Sequence, residues 1–258
     1  MQDIKSMNGV GYMRIAVLTD IHGNLPALQA VIGDIDKRGD IEHIYCLGDM
    51  LAIGYETDRV LELLFGRDDI SIITGNHDET VLALSRQETY PESHQNERAH
   101  HQWITDRTNQ GYLDMLHKLP RQIYQQIKGH TVLFTHYHIH PDKATAHISE
   151  EPFSRIVAPT LENLELLFQN HTDTELICFG HHHPIHHFRN NCSIFLNPGS
   201  LGCQPKPAAP YAIVDIKEEI KIEIIEVLYD NRSFLEGYER FKVPERDIIL
   251  KIFHGGQL

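Results

Sequence analysis

The chain has 258 residues and a formal charge of −13, from 23 basic and 36 acidic side chains. That length can bury a full core, no apolar run approaches the roughly 18 residues of a membrane span, and the N-terminus lacks the apolar stretch of a signal peptide. The acidic balance argues against non-specific nucleic-acid binding, which needs a basic surface. The four cysteines, Cys46, Cys178, Cys192 and Cys203, form no CxxC pair and no secreted-type framework. They are expected as buried, reduced thiols of a cytoplasmic protein. Cys203, after a Gly-rich turn, is placed for proximity to a site.

Residues 1–12 read as an extension ahead of the first strand, with Met7 or Met13 as alternative starts, and residues 13–258 as one domain. Met13–Thr19 is a strand run. Asn24–Arg38 is a helix, with Leu28, Val31, Ile32 and Ile35 on one face at helical spacing. Asn24 or Gly23 caps it, and Pro26 is tolerated in its first turn. Strand Ile41–Leu47, helix Asp58–Phe65 and strand Ile70–Thr74 follow. This alternation argues for parallel strands joined by right-handed crossovers. Residues 79–120 are polar and His-rich, with helical stretches around Glu97–Arg107 and Gln110–Lys118. They read as a helical insert, anchored in the core by Trp103, the single tryptophan.

Residues 121–258 are mostly strands. Ile123–Ile127 and Thr131–Phe134 flank Gly129-His130 in hairpin style. Leu161–Phe168 is a helix. Strands Leu176–Phe179, Phe188–Arg189, Ser193–Leu196, Tyr211–Ile216 and Lys221–Val227 come next, with Glu218-Glu219 turning the chain between the last two. Helices Ser233–Phe241 and Glu245–Phe253 close the chain around Pro244. Two sheets packed face to face with helices outside is the economical architecture. Apolar residues of the tail, Leu235, Phe241, Ile248 and Ile252, would suit a homodimer but are as well explained by packing on the sandwich.

Short polar blocks end five of the apolar runs: Asp20-Ile21-His22, Gly48-Asp49, Gly75-Asn76-His77-Asp78, His136, and Gly180-His181-His182-His183. A parallel sheet gathers its strand C-terminal ends on one edge, where ligands bind. Each block alone is a weak signal, since most Asp-x-His pairs are solvated loop residues. Their recurrence at five strand ends is what points to metal binding. Asp49, freed by a glycine, can bridge two cations with its two oxygens. Asn76 offers a neutral amide oxygen. His181 and His183, two apart in extended chain, point the same way while His182 points elsewhere. Mixed His, Asp and Asn donors without Cys suit Mn²⁺, Fe or Zn²⁺. His77 adjoins a proposed ligand, and Asp78 is placed to orient its ring, so His77 is the candidate to stabilise or protonate a leaving oxygen. Asn197-Pro198-Gly199-Ser200 reads as a structural turn set against the metal edge. His94, His100, His101, His138, His140, His186 and His187 exceed what two metals need and are expected mostly at the surface, with His138 and His140 within reach of substrate.

In order and in full, these blocks resemble the calcineurin-like metallophosphoesterases, whose pattern is D-x-H, G-D, G-N-H-[DE], H and G-H-x-H. Thr19-Asp20-Ile21-His22-Gly23-Asn24 and Asn197-Pro198-Gly199-Ser200 resemble the compact bacterial phosphodiesterase branch, as do the Trp103 segment and Pro244-Glu245-Arg246. The resemblance implies a four-layer αββα sandwich of two mixed β-sheets flanked by helices, and a dinuclear centre with manganese the favoured metal. Asp20, His22 and His183 would hold one ion, Asn76, His136 and His181 the other, with Asp49 bridging and His77 catalytic. The expected activity is hydrolysis of a small phosphodiester by a metal-bridging hydroxide. Rival readings are a phosphomonoesterase or dinucleoside polyphosphate hydrolase, and a non-catalytic scaffold like the retromer subunit of this fold, which lacks the catalytic histidine. Tyr137-His138-Ile139-His140-Pro141, His182 and Met50-Leu-Ala-Ile depart from the family pattern and bear on substrate choice.

Overall fold

A computed structural model describes residues 12–257. The extension expected over residues 1–12 therefore lies outside the described residues, apart from Tyr12, as do both alternative starts but Met13. In chain order the strands are β1 (Met13–Leu18), β2 (His43–Cys46), β3 (Ile70–Ile72), β4 (Gln122–Ile127), β5 (His130–Thr135), β6 (Leu176–Cys178), β7 (His186–Arg189), β8 (Ile194–Asn197), β9 (Ala208–Ile216) and β10 (Ile220–Leu228). The helices are α1 (Leu25–Arg38), α2 (Thr57–Phe65), α3 (Asn76–Ser85), α4 (Arg98–Thr105), α5 (Gln110–Leu116), α6 (Leu161–Leu167), α7 (Arg232–Arg240) and α8 (Arg246–Phe253).

The strands form two five-stranded mixed sheets, ordered β10-β9-β1-β2-β3 and β4-β5-β6-β8-β7. In the first, β1, β2 and β3 are parallel and β9 and β10 antiparallel. In the second, β5, β6 and β8 are parallel between antiparallel β4 and β7. The period-two alternation of strand side chains sorts them between layers. Ile15 and Val17 of β1 face Phe134, Cys178 and Leu196 of the second sheet. Ala16 and Leu18 face outward under Leu28, Val31, Val60 and Leu64 of α1 and α2. Tyr45 stacks on Phe134 at 3.6 Å between centroids, tying the two inner faces together. Leu133, Ile177 and Phe195 turn outward under Leu164 of α6. The result is the expected four-layer αββα sandwich. Helices α7 and α8 close one end on Ile53 and Cys203.

Four features differ from the sequence expectations. Helix α3 starts at Asn76, inside the third polar block, and runs into the expected insert. Strand β9 starts three residues earlier than expected, at Ala208, and includes Pro210. The proline is tolerated because β1 pairs only with Ala212–Ile216, leaving residue 210 without a ladder partner on that side. In the tail, Leu235 is buried, but Phe241, Ile248 and Ile252 are 48%, 55% and 66% exposed, so packing on the sandwich does not account for these three. Of the cysteines, Cys46, Cys178 and Cys203 are buried free thiols as expected, whereas Cys192 is exposed in the β7–β8 turn, where its N–H donates to Asn190 Oδ1.

Candidate metal centre

The parallel strands end on one edge, and the loops leaving them are interlocked. Asp20 N–H donates to Gly48 O (3.0 Å), His22 N–H to Asp49 O (2.9 Å) and Gly54 N–H to His22 O (3.0 Å). Gly48 has φ +90°, and a Cβ there would collide with the Gly75 backbone nitrogen. Gly75 in turn leaves no room for a side chain beside the Asp49 carboxylate. Asp20, His22, Asp49 and His181 all adopt left-handed backbone conformations, with φ from 48° to 65°. Non-glycine residues rarely do so, and such strain collects at functional sites where the surroundings enforce it. Here the loop hydrogen bonds enforce it and turn the side chains toward one point.

All seven sequence-selected donors converge. One cluster of ligand atoms within 4.8 Å of one another comprises Asp20, His22 and Asp49, another Asp49, His136 and His181, and a third His22, His183 and Cys203. Asp49 is common to the first two, its Oδ2 3.9 Å from His22 Nε2 and 3.2 Å from His136 Nε2. Two backbone carbonyls set the histidine tautomers. Leu51 O lies 3.1 Å from His22 Nδ1 and Leu47 O 2.8 Å from His136 Nδ1. A carbonyl only accepts, so each Nδ1 carries a proton, and in the neutral ring each Nε2 presents a lone pair inward. His136 Nε2 meets Asn76 Oδ1 at 2.9 Å, and the amide oxygen is fixed there because Asn76 Nδ2 faces His94 Nε2 at 3.0 Å. His22 Nε2 meets His183 Nε2 at 3.2 Å. Asp20 Oδ2 accepts from Thr19 Oγ1 and His181 N–H, while its Oδ1 is buried without a hydrogen bond among the described residues, 3.6 Å from His22 Nε2 and 3.7 Å from His183 Nε2.

Lone pairs aimed at one another are repulsive unless a proton or a cation lies between them. In the metal-free chain protons take that place. Burial would lower the His136 pKa, yet the Asp49 carboxylate overrides it and raises it to about 9. His22 is raised in the same way, against burial, by Asp20 and Asp49. Burial would raise Asp20 and Asp49, but the surrounding imidazoles hold both below the usual carboxylate range. His181 and His183 are lowered by burial to about 3 and about 4, and so stand ready as neutral donors. A donor set of this kind, with an orphaned carboxylate oxygen at its centre, fits divalent cations. Cys203 does lie beside His22 and His183, but burial pushes its thiol well above the usual range, which keeps it protonated.

His77 sits at the N-terminus of α3, its ring 5.2 Å from that of His22 and its N–H on Asp49 Oδ1 (2.9 Å). Asp78 does not orient the ring, contrary to expectation. Its carboxylate is spent on the backbone N–H groups of Met50, Leu51 and Gly75, binding the β2 loop to α3. The ring is held instead by His101, with Nε2 2.8 Å from His77 Nδ1. Tyr90 donates its hydroxyl proton to His94 O (2.8 Å) and lies 2.7 Å from His101 Nδ1. The tyrosine has one proton, so it accepts from His101 Nδ1–H. His101, buried and kept neutral, then accepts at Nε2 from His77 Nδ1–H. By exclusion the neutral His77 ring keeps an unprotonated Nε2. Burial, followed by His101 and His94, lowers its pKa well below the usual value.

The Asn197–Ser200 turn has the expected structural part. Asn197 Nδ2 donates to Gly180 O and His182 O, and Ser200 Oγ to Asp20 O, latching two ligand loops together. His182 points away from the centre, onto His186 Nε2 at 2.9 Å. The surface expectation fails for His100, His101, His138 and His186, all buried, because each packs among rings or hydrogen-bond partners rather than water. His138 turns onto Ser154 and Phe168 and His140 onto Asp142, so the structure does not bring either to the ligand clusters. The sequence reading missed Tyr90 and His101. The spacing of His100, His101 and Ile104, one face of α4, was the available signal.

A family model, the calcineurin-like phosphoesterase superfamily domain, matches residues 13–219. The uncharacterized protein MJ0912 of Methanocaldococcus jannaschii is 32% identical over 240 residues, covering 90% of this chain and 94% of that one. Among solved structures, hypothetical protein PH1004 from Pyrococcus horikoshii superposes with a TM-score of 0.76 at 20% identity, over 95% of this chain and 100% of its own. A metallophosphoesterase from Sphaerobacter thermophilus superposes at 0.71 and 22%, over 94% and 98%. These two structures share the fold, while the family model spans the strands and loops that carry all seven donors. The chain belongs to the calcineurin-like phosphoesterase superfamily.

Proposed function

We propose that this chain is a dinuclear metal-dependent hydrolase of phosphate esters, a phosphodiesterase acting as a single domain over residues 13–258. The observation that carries the reading is the inward convergence of lone pairs on His22, His136, Asn76, Asp20 and Asp49, with the two carbonyls of Leu47 and Leu51 fixing the tautomers. Asp20, His22 and His183 would hold one ion and Asn76, His136 and His181 the other, with Asp49 between them. Bound there, manganese or a similar divalent ion supplies Lewis-acid polarisation of a phosphoryl oxygen and a lowered pKa for water. The protein's own contribution is orientation and proton transfer. His77, held at Nδ1 by His101, has an unprotonated Nε2 that would take a proton from solvent water and give it to the leaving oxygen, returning to the neutral ring. The hydrogen-bond and ion-pair partners of the seven donors include no Lys or Arg among the described residues. That favours a diester, with one negative charge, over a monoester dianion. The free cysteines support a reducing, cytoplasmic setting.

The test is turnover of an aryl phosphodiester beside the matching monoester, by metal-stripped protein with Mn²⁺ added back. Metal-dependent diester turnover is expected. Preference for the monoester would overturn the diester assignment. His77→Ala should keep its metal content and lose roughly 10²–10⁴-fold in kcat, the usual worth of a proton-transfer group. Undiminished turnover in that variant would remove His77 from the mechanism.

A further inference from the structure

Asn76 is the one amide among the seven proposed ligands, and its side chain has two unlike ends: an oxygen that can hold a cation and an NH₂ group that cannot. Its Oδ1 meets His136 Nε2 at 2.9 Å and its Nδ2 meets His94 Nε2 at 3.0 Å. The His136 side does not choose between the two ends, because an imidazole nitrogen accepts when bare and donates when protonated. The choice falls to His94.

His94 lies in the turn Glu92–Glu97, ahead of α4, and is held at its carbonyl and at both ring nitrogens. The carbonyl accepts from Tyr90 Oη (2.8 Å), and Nδ1 lies 2.7 Å from Ser93 Oγ. Ser93 in turn is spent on Glu151, its Oγ 2.8 Å from Oε2 and its N–H 3.1 Å from Oε1. A carboxylate only accepts, so the single hydroxyl proton of Ser93 goes to Glu151, and Ser93 Oγ accepts from His94 Nδ1–H. In the neutral ring His94 Nε2 is then bare, and it accepts from Asn76 Nδ2. His77, His94 and Glu97 do bring ligand atoms within 4.8 Å of one another, but both nitrogens of His94 are engaged, which leaves no lone pair for a further ion. Glu151 lies on the loop that leaves β5 through His136. The contacts from Glu151 through Ser93 and His94 to Asn76 thus close a ring around two ligands assigned to the same ion.

We propose that His94 is a positioning residue: through Nε2 it holds the Asn76 amide with its oxygen toward the second metal position, and Ser93 and Glu151 hold His94 in the tautomer that does so. The proposal rests on the dinuclear reading above. It gives the helical insert a part in metal binding although the insert supplies no ligand. Partners of this kind behind a ligand are worth about 10–100-fold in metal affinity. The effect has a direction. Without His94 the amide is free to turn its NH₂ group inward, which weakens the ion that Asn76, His136 and His181 share and leaves the ion on Asp20, His22 and His183 in place.

Metal binding, not turnover, tests this. In calorimetric titration of the metal-free full chain with Mn²⁺, His94→Ala should weaken one of two binding events about 10–100-fold and leave the other unchanged. His94→Gln, whose amide oxygen accepts from Asn76 Nδ2 in place of the ring nitrogen, should recover most of the loss. Ser93→Ala, which releases the tautomer, should weaken the same event by less than His94→Ala does. The deciding comparison uses Asn76→Asp, since a carboxylate presents an oxygen at either end and needs no orienting. On that background His94→Ala should cost little. An equal cost on both backgrounds would mean that His94 acts through packing and would overturn the proposal. Wild-type affinity at both positions in His94→Ala would overturn it too, while two bound ions in the wild type would leave the dinuclear reading standing. Wild-type affinity in Ser93→Ala would strike Ser93 and Glu151 from the chain. A wild-type chain that binds no Mn²⁺ would overturn the dinuclear reading and the proposal with it.

Discussion

At the scale of single residues, the site is governed by where protons are allowed to sit. Leu47 O and Leu51 O fix two imidazoles, and Tyr90, through its one hydroxyl proton, fixes His101 and then His77. Tyr90→Phe removes that anchor while keeping the ring that packs there. We expect kcat to fall several-fold with KM and metal content unchanged, measured by steady-state kinetics and metal analysis on the same preparation. A change in KM alone would place Tyr90 in substrate binding instead. Protons also compete with metal. With His136 raised to about 9, binding at its Nε2 must release a proton below that pH. Affinity for Mn²⁺ should therefore rise about tenfold per pH unit between about 6.5 and 9 for each proton displaced. The metal-free chain should behave oppositely. A raised histidine pKa stabilises the fold fully below its unfolded value of about 6.5, and that contribution is lost as pH rises through 9. Titrations at pH 6.5 and 8.5 that give one affinity would contradict the assignment.

At the scale of elements, the legibility of the sequence followed burial. Helix α1 was readable because one face is buried and the other wet, which leaves a clean 3.6-residue period. Helix α3 was not, because Thr80, Val81, Leu82, Ala83 and Leu84 are all buried and no polar face marks the period. Strand β9 was cut short at a proline that its one-sided pairing tolerates. The donors were legible because each follows an apolar strand run, whereas the groups that orient His77 come from the insert, where polar helix and polar loop look alike. Asn24 joins two of these levels. It caps α1 by accepting from Ala27 N–H and donates to Gly202 O and Tyr229 Oη, tying the first ligand loop to the Gly199–Gly202 turn. Asn24→Ala should cost about 2 kcal/mol or more in urea unfolding, about 1 for the cap and about 1–3 for the orphaned partners. A loss of only a few tenths would mean water replaces the side chain.

At the scale of the molecule, the sandwich supplies what no single sheet could. Asp20, His22, Asp49 and Asn76 follow strands of the first sheet, and His136, His181 and His183 follow strands of the second. Cations at this edge would thus bridge the two sheets, and the net charge of −13 favours their uptake. Helix α8 adds an apolar wall beside the candidate ligand clusters, and no sequence pattern distinguished that wall from ordinary core packing.

The most direct measurement is the metal content of the reconstituted chain and of Asp49→Ala by elemental analysis after gel filtration. Two divalent ions per chain in the wild type, and loss at both positions in the variant, are expected if Asp49 bridges a dinuclear centre. A wild-type chain that takes up none, or a variant that keeps both, would contradict it.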